Sequence, residues 1–150
     1  MAMTRTLAFQ IAPDFAGVDL VRTALKEFCN EIYIGGPEAE AWTGDLCLAA
    51  TEAMNNAVEH SGAEKVEIEI FANKTEVVFR MITRGEKFDP TAGISMPVLG
   101  DGDELQEGGF GLAIIKEIVD SVRYEYIDGK NVMTLGKGII DKKGESEDGN

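Results

Sequence analysis

TEAMNNAVEH, residues 51–60, decides how this chain is read. It continues a pattern in which Trp42, Leu46, Ala49, Ala50, Ala53 and Ala57 recur at steps of three and four, the signature of one buried helical stripe. Asp45, Glu52, Asn56 and Glu59 fall together on a different face, and the spacing of four between Glu52 and Asn56 makes them neighbours there. The pattern predicts a helix from about Glu38 to His60, begun after the Gly35-Gly36-Pro37 break and stopped at Ser61-Gly62. His60 in its last turn suits the negative end of the helix dipole.

Working outward, residues 4–12 (TRTLAFQIA) alternate enough for an edge strand, and Asp14 is placed to cap a first helix. That helix has its stripe at Val18, Val21, Leu25, Phe28 and Ile32. Downstream, KVEIEIFA (65–72) alternates strictly and EVVFRMIT (76–83) returns after an Asn73-Lys74 turn, which predicts an antiparallel hairpin. Residues 84–108 show no periodicity and contain Pro90, Pro97 and several glycines, a length and composition typical of a lid or binding loop. A helix over 109–119 and a second hairpin, SVRYEYID (121–128) with NVMTLGKGI (131–139), complete the chain. The order of elements predicts an α+β fold: a two-layer α/β sandwich, its sheet mixed but mostly antiparallel, with helices on one face. Residues 1–140 are expected to form one domain, and the acidic 141–150 tail to be disordered.

The chain of 150 residues is long enough to bury a core without disulfides or metals. A formal net charge of −13 argues against direct nucleic-acid binding or an anionic membrane surface, and suits a basic protein partner. Cys29 and Cys47 both sit among apolar helical residues and read as buried free thiols, with no CxxC or Cys/His cluster for zinc. No apolar run approaches membrane-spanning length, and the chain reads as cytoplasmic.

Two further segments bear on chemistry. GGFGLAII (108–115) opens a helix with glycines, an arrangement that offers free backbone N–H groups to a phosphate. ITRGEKFDP (82–90) lies between the hairpin and the loop. An acid and an amide on one helix, with a glycine-rich helix start elsewhere, are suitable parts for holding a magnesium nucleotide. Taken singly each has a plain structural alternative: Glu52 as a solvated helix residue, the glycines as close-packing positions, His60 as a capping residue, Lys116 as a solvated lysine.

Taken together, TEAMNNAVEHSG, RGEKFDP and EGGFGLAIIKEIVD stand in an order and at distances that resemble the Bergerat-fold, or histidine-kinase-like, ATPases. Within them the chain is most similar to the bacterial anti-sigma-factor serine kinases, over about residues 8–139. That resemblance implies binding of ATP with magnesium and phosphorylation of a serine on a small anti-sigma-factor-antagonist-like protein. It also implies control of transcription through a sigma factor, and favours a homodimer. Glu52 would be the catalytic base and Asn56, rather than its neighbour Asn55, the magnesium ligand. Gly109, Phe110 and Gly111 would bring backbone N–H groups to the phosphates, with Gly108 as the hinge of the lid. Gly85, Phe88, Asp89 and Pro90 match the family's second motif, and Thr134 matches a hydroxyl that supports the adenine site. The departure is at Thr83, where the family carries an aspartate that accepts from the adenine amino group, and at Lys87, where it carries a glycine. A neutral acceptor is roughly half as strong as a charged one, so base recognition is expected to be weakened. The sequence therefore leaves open a catalytically silent module that grips a protein partner, and a regulatory domain that binds another nucleotide.

Overall fold

A computed structural model describes residues 4–33, 35–88 and 115–139. The elements are β1 (Arg5–Ile11), α1 (Phe15–Ile32), α2 (Pro37–His60), β2 (Val66–Ala72), β3 (Glu76–Arg84), β4 (Ser121–Ile127) and β5 (Lys130–Gly138), with a helical turn at 115–118 ahead of β4. The five strands form one sheet in the order β1-β2-β3-β5-β4. Every pairing among them is antiparallel, so the expectation of a mixed sheet is corrected. The reason lies in the connections. A one-helix crossover would return β2 parallel to β1, but α1 and α2 together reverse the chain twice. At the other side β5 inserts between β3 and β4 and separates the two strands that would run parallel.

Strict alternation gives the sheet two unlike faces. Val66, Ile68, Ile70 and Ala72 of β2, Val77, Phe79 and Met81 of β3, and Met133 and Leu135 of β5 point inward and are buried with the stripes of both helices. The stripe of α1 is buried at Val18, Val21, Leu25, Phe28 and Cys29. That of α2 contains the six positions anticipated from spacing, together with Ala39, Thr43, Cys47 and Met54. The opposite face of the sheet carries cross-strand ion pairs, Arg80 with Glu69 at 3.0 Å and Arg84 with Glu67 at 2.8 Å.

Local chemistry sets the boundaries. The Asp14 carboxylate accepts from the Gly17 N–H at 2.7 Å and caps α1, as its position suggested. Pro37 begins α2, where its missing N–H costs nothing, and acidic Glu38 and Glu40 sit in the positive first turn. The Asn73 side chain accepts from the N–H groups of Thr75 and Glu76 and closes the β2–β3 turn. Trp42 is anchored twice: its ring meets Tyr33 edge-on at 5.3 Å, and its indole N–H donates to the Gly138 carbonyl at 2.6 Å. That bond fastens the start of α2 to the end of β5. Both cysteines are free and buried. Burial, with Cys47 nearby, pushes the Cys29 thiol up to about 12. Burial also raises the Cys47 thiol, opposed in part by Lys26 and Arg22. Neither thiol is therefore an effective nucleophile at neutral pH.

Gly17 lies where the end of β1 turns into α1, and a Cβ there would stand 2.4 Å from the Ala12 carbonyl oxygen and 3.1 Å from the Ile11 Cβ. Alanine is the better helix former by about 1 kcal/mol. The clash is with backbone and should outweigh that gain. Gly17→Ala is expected to destabilise the protein by ~1–2 kcal/mol in urea unfolding; a stabilised variant would show that β1 and α1 can separate freely.

Candidate functional site

The candidate site is built on the C-terminal half of α2. Ala49, Ala50, Ala53 and Ala57 present almost no side chain to the sheet and are buried, so the helix axis can approach closely. At the margin of this small-residue stripe Glu52 and Asn56 are half-buried. Neither makes a hydrogen bond or ion pair to another described residue. Asn55, which shares neither the stripe nor the Asn56 direction, keeps a buried Oδ1 with no hydrogen-bond partner. His60, one turn beyond Asn56, is exposed and lies 3.7 Å from the Glu59 carboxylate. Its ring stands 6.4 Å from that of Phe88 and tilted by 32°. This contact brings the segment after β3 against the end of α2.

The facing wall is the 83–88 segment. Thr83 ends the inward row of β3 and is only 2% exposed. It is flanked in the sheet by Val66 of β2 and Asn131 of β5. Gly85 has φ of 140°, a conformation that favours glycine, and its N–H donates to the Gly129 carbonyl at 2.9 Å. The Tyr126 hydroxyl donates to the Gly85 carbonyl at 2.8 Å. The segment is thus tied to the β4–β5 hairpin instead of hanging free.

Of the residues anticipated from sequence, Thr83, Gly85 and Phe88 lie at or just beyond the end of β3, and Phe88 meets His60 at the end of α2, the helix that carries Glu52 and Asn56. Thr134 is not among them. It pairs with Arg80, three residues along β5 from Asn131, and an odd offset turns its side chain to the opposite face from Thr83. The expected support of the base site by Thr134 does not hold in this geometry. The residue across from Thr83 on the inward face is Asn131, which sequence reading passed over. A signal was present: Asn131 is the polar member of the inward row Asn131, Met133, Leu135. Lys87 and Lys116 are exposed. Gly108, Gly109, Phe110 and Gly111, with Asp89, Pro90 and the expected lid, lie outside the described residues.

The donor set suits a magnesium nucleotide. A metal cage made only of protein groups would need several clustered ligands, and no group of three or more His, Cys, Asp or Glu is found among the described residues. Magnesium instead keeps several waters and takes one or two protein oxygens beside phosphate. Oxygens of Glu52 and Asn56 that no described protein group engages meet that requirement. No described helix is long and apolar enough to cross a membrane.

The chain is similar to the serine/threonine-protein kinase BtrW of Bordetella bronchiseptica, 31% identical over 94 residues, which are 60% of this chain and 66% of BtrW. It is similar to the serine-protein kinase RsbW of Bacillus licheniformis, 27% identical over 134 residues, covering 80% of this chain and 76% of that protein. Among solved structures, the RsbU and RsbW domains of Rv1364c from Mycobacterium tuberculosis share the fold, with a TM-score of 0.62 at 20% identity, over 89% of this chain and 32% of that one. The chain thus spans about a third of the mycobacterial protein and just under two thirds of BtrW. The family model of the histidine kinase-like ATPase domain matches residues 11–137, which hold both helices, strands β2 to β4 and nearly all of β5. The chain belongs to the histidine kinase-like ATPase family.

Proposed function

We propose that this protein is a protein serine kinase of the anti-sigma-factor type, acting in the cytoplasm on a serine of a small antagonist protein. The observation that carries the proposal is the pair Glu52 and Asn56: half-buried, one turn apart and engaged with no described group. A carboxylate and an amide oxygen one turn apart on one helix face, with no protein partner, are available to a ligand. The kinases BtrW and RsbW, to which the chain is similar, support the choice of reaction.

Bound magnesium-ATP would supply the γ-phosphoryl group and neutralise its charge. Asn56 would hold the metal through its amide oxygen, and the backbone N–H groups of Gly109 and Gly111 would take the phosphates. Gly108 would be the hinge of the lid, and Thr83 would face the base. Glu52 would accept the proton of the attacking serine hydroxyl as its oxygen bonds to phosphorus and the bond to the departing ADP oxygen breaks. The net charge of −13 disfavours an acidic partner surface and directs the search to an antagonist with a basic contact face. A sigma factor and a second copy of the chain are further partners that the family reading brings with it.

One observation favours a second reading, a silent module that grips its partner without transferring phosphate. Thr83 is buried at the place where the family has its adenine-binding aspartate, and a threonine hydroxyl grips an amino group less strongly than a carboxylate does. Thr83→Asp separates base recognition from phosphate binding. It is expected to tighten magnesium-ATP binding about tenfold or more in calorimetric titration. Unchanged or weaker binding would remove Thr83 from the base site.

Substitutions on α2 test the chemistry itself. Glu52→Gln keeps shape and removes the basic oxygen, so phosphoryl transfer to the antagonist should fall about 10²–10⁴-fold while nucleotide affinity changes little. Asn56→Ala should weaken binding and transfer together, because a metal ligand acts in the ground state as well. Asn55→Ala is the comparison: a larger loss there than at Asn56 would reassign the metal ligand to the orphaned amide. A wild-type protein that holds the antagonist tightly yet transfers no radiolabelled phosphate would establish the silent module in place of the kinase.

A further inference from the structure

Asn131 is 5% exposed, and its whole hydrogen-bonding capacity is spent on its surroundings. A carboxamide offers two donors and an oxygen with two lone pairs. Here Nδ2 donates to the Glu86 carbonyl at 2.9 Å and, over a longer 3.4 Å, to the Thr83 carbonyl. Oδ1 accepts from the Phe88 N–H and from the Tyr124 hydroxyl, both at 2.6 Å. The orientation of the amide is dictated by its partners, since two carbonyls can only accept and a backbone N–H can only donate. One side chain in β5 therefore binds the beginning, middle and end of the segment 83–88, and β4 holds that side chain in place through Tyr124.

This has consequences for a ligand. An amide with no free donor or acceptor cannot also recognise a base, so Asn131 acts on a ligand only through the segment that it shapes. That segment carries Thr83 on the inward face and Phe88 against His60 at the end of α2. We propose that Asn131, steadied by the Tyr124 hydroxyl, is the positioning residue of the base-side wall, fixing the 83–88 segment so that the Thr83 hydroxyl is held at the edge of the bound base. The inference rests on the nucleotide reading given above and deepens it. Pre-organisation of this kind matters more here than with a carboxylate, because a lone neutral hydroxyl loses its bond when it drifts by a fraction of an ångström.

The test separates base from phosphate. Wild type, Tyr124→Phe and Asn131→Ala of the full chain are titrated calorimetrically with magnesium-ATP and, separately, with magnesium tripolyphosphate, which has the phosphates and no base. Asn131→Ala is expected to lose about 10–100-fold in ATP affinity, and Tyr124→Phe, which removes one of the four bonds, about three- to tenfold. Tripolyphosphate affinity should stay within about twofold of wild type in both. General loosening of the fold would weaken both ligands alike, so equal losses overturn the proposal, as does an unchanged ATP affinity. If Asn131→Ala does not fold, Tyr124→Phe decides by the same comparison. Wild type that binds tripolyphosphate as tightly as ATP rules out a working base wall and leaves the phosphate site standing. Wild type that binds neither probe overturns the nucleotide reading, and this role with it.

Discussion

The close approach of α2 to the sheet is the constraint on which the site depends. Four alanines on one helical stripe, Ala49, Ala50, Ala53 and Ala57, are buried against strands whose own inward residues include Phe79 and Met81. Large side chains on the strands and small ones on the helix fill the layer at native density, which a stripe of leucines could not do at the same separation. Because the helix sits low, residues at the margin of its stripe lie close to the sheet. Glu52 and Asn56 occupy that margin, and His60 reaches Phe88. The candidate pair is thus positioned by residues that have no chemistry of their own.

The second constraint is the fastening of the segment after β3. Loops that carry binding groups usually gain precision from a rigid scaffold beneath them. Here the scaffold is the β4–β5 hairpin. It contributes the Gly129 carbonyl, the Tyr126 hydroxyl and the Asn131 amide, from both strands and the turn between them. Trp42 performs the corresponding service at the other end of the sheet by joining α2 to Gly138. The hairpin is therefore joined to α2 directly at Gly138, and through the 83–88 segment by the contact of Phe88 with His60.

Much of this was legible in the sequence, and the exceptions have physical causes. The stripes of α1 and α2 follow from spacing alone, because a helical period of 3.6 leaves little ambiguity over eighteen or more residues. The β2–β3 hairpin was equally clear from alternation. The direction in which β1 and the two hairpins pair with one another was not, since it depends on how many times the chain reverses between them, and mixed and antiparallel sheets share the same alternation. The exchange of Thr134 for Asn131 has a subtler origin. In a strand one face is read every second residue, so a candidate chosen by chemical type at an odd offset lands on the wrong side. Threonine drew attention as a hydroxyl, whereas the informative feature was a polar residue in a row that is otherwise Met133 and Leu135. The four bonds of Asn131 join residues up to 48 positions apart, and no local pattern announces a contact of that range.

The replacement at Thr83 acquires its meaning from these constraints. A hydroxyl both donates and accepts, where a carboxylate only accepts, so it favours an adenine amino group less strongly over the carbonyl of another purine. An aspartate at the same buried position would also have to be kept ionised beside Asn131, whose donors are already committed to the Thr83 and Glu86 carbonyls. Desolvation would offset part, though not all, of the carboxylate's greater strength as an acceptor. Threonine has no such cost in a 2% exposed site. Under the proposed function, selectivity for the base would be a property of how firmly the hydroxyl is held, and affinity lost at the base would fall to the metal and phosphates. The two ends of the nucleotide would then be recognised by different elements, α2 and the hairpin-bound segment, so a change at one end could be tolerated without dismantling the other.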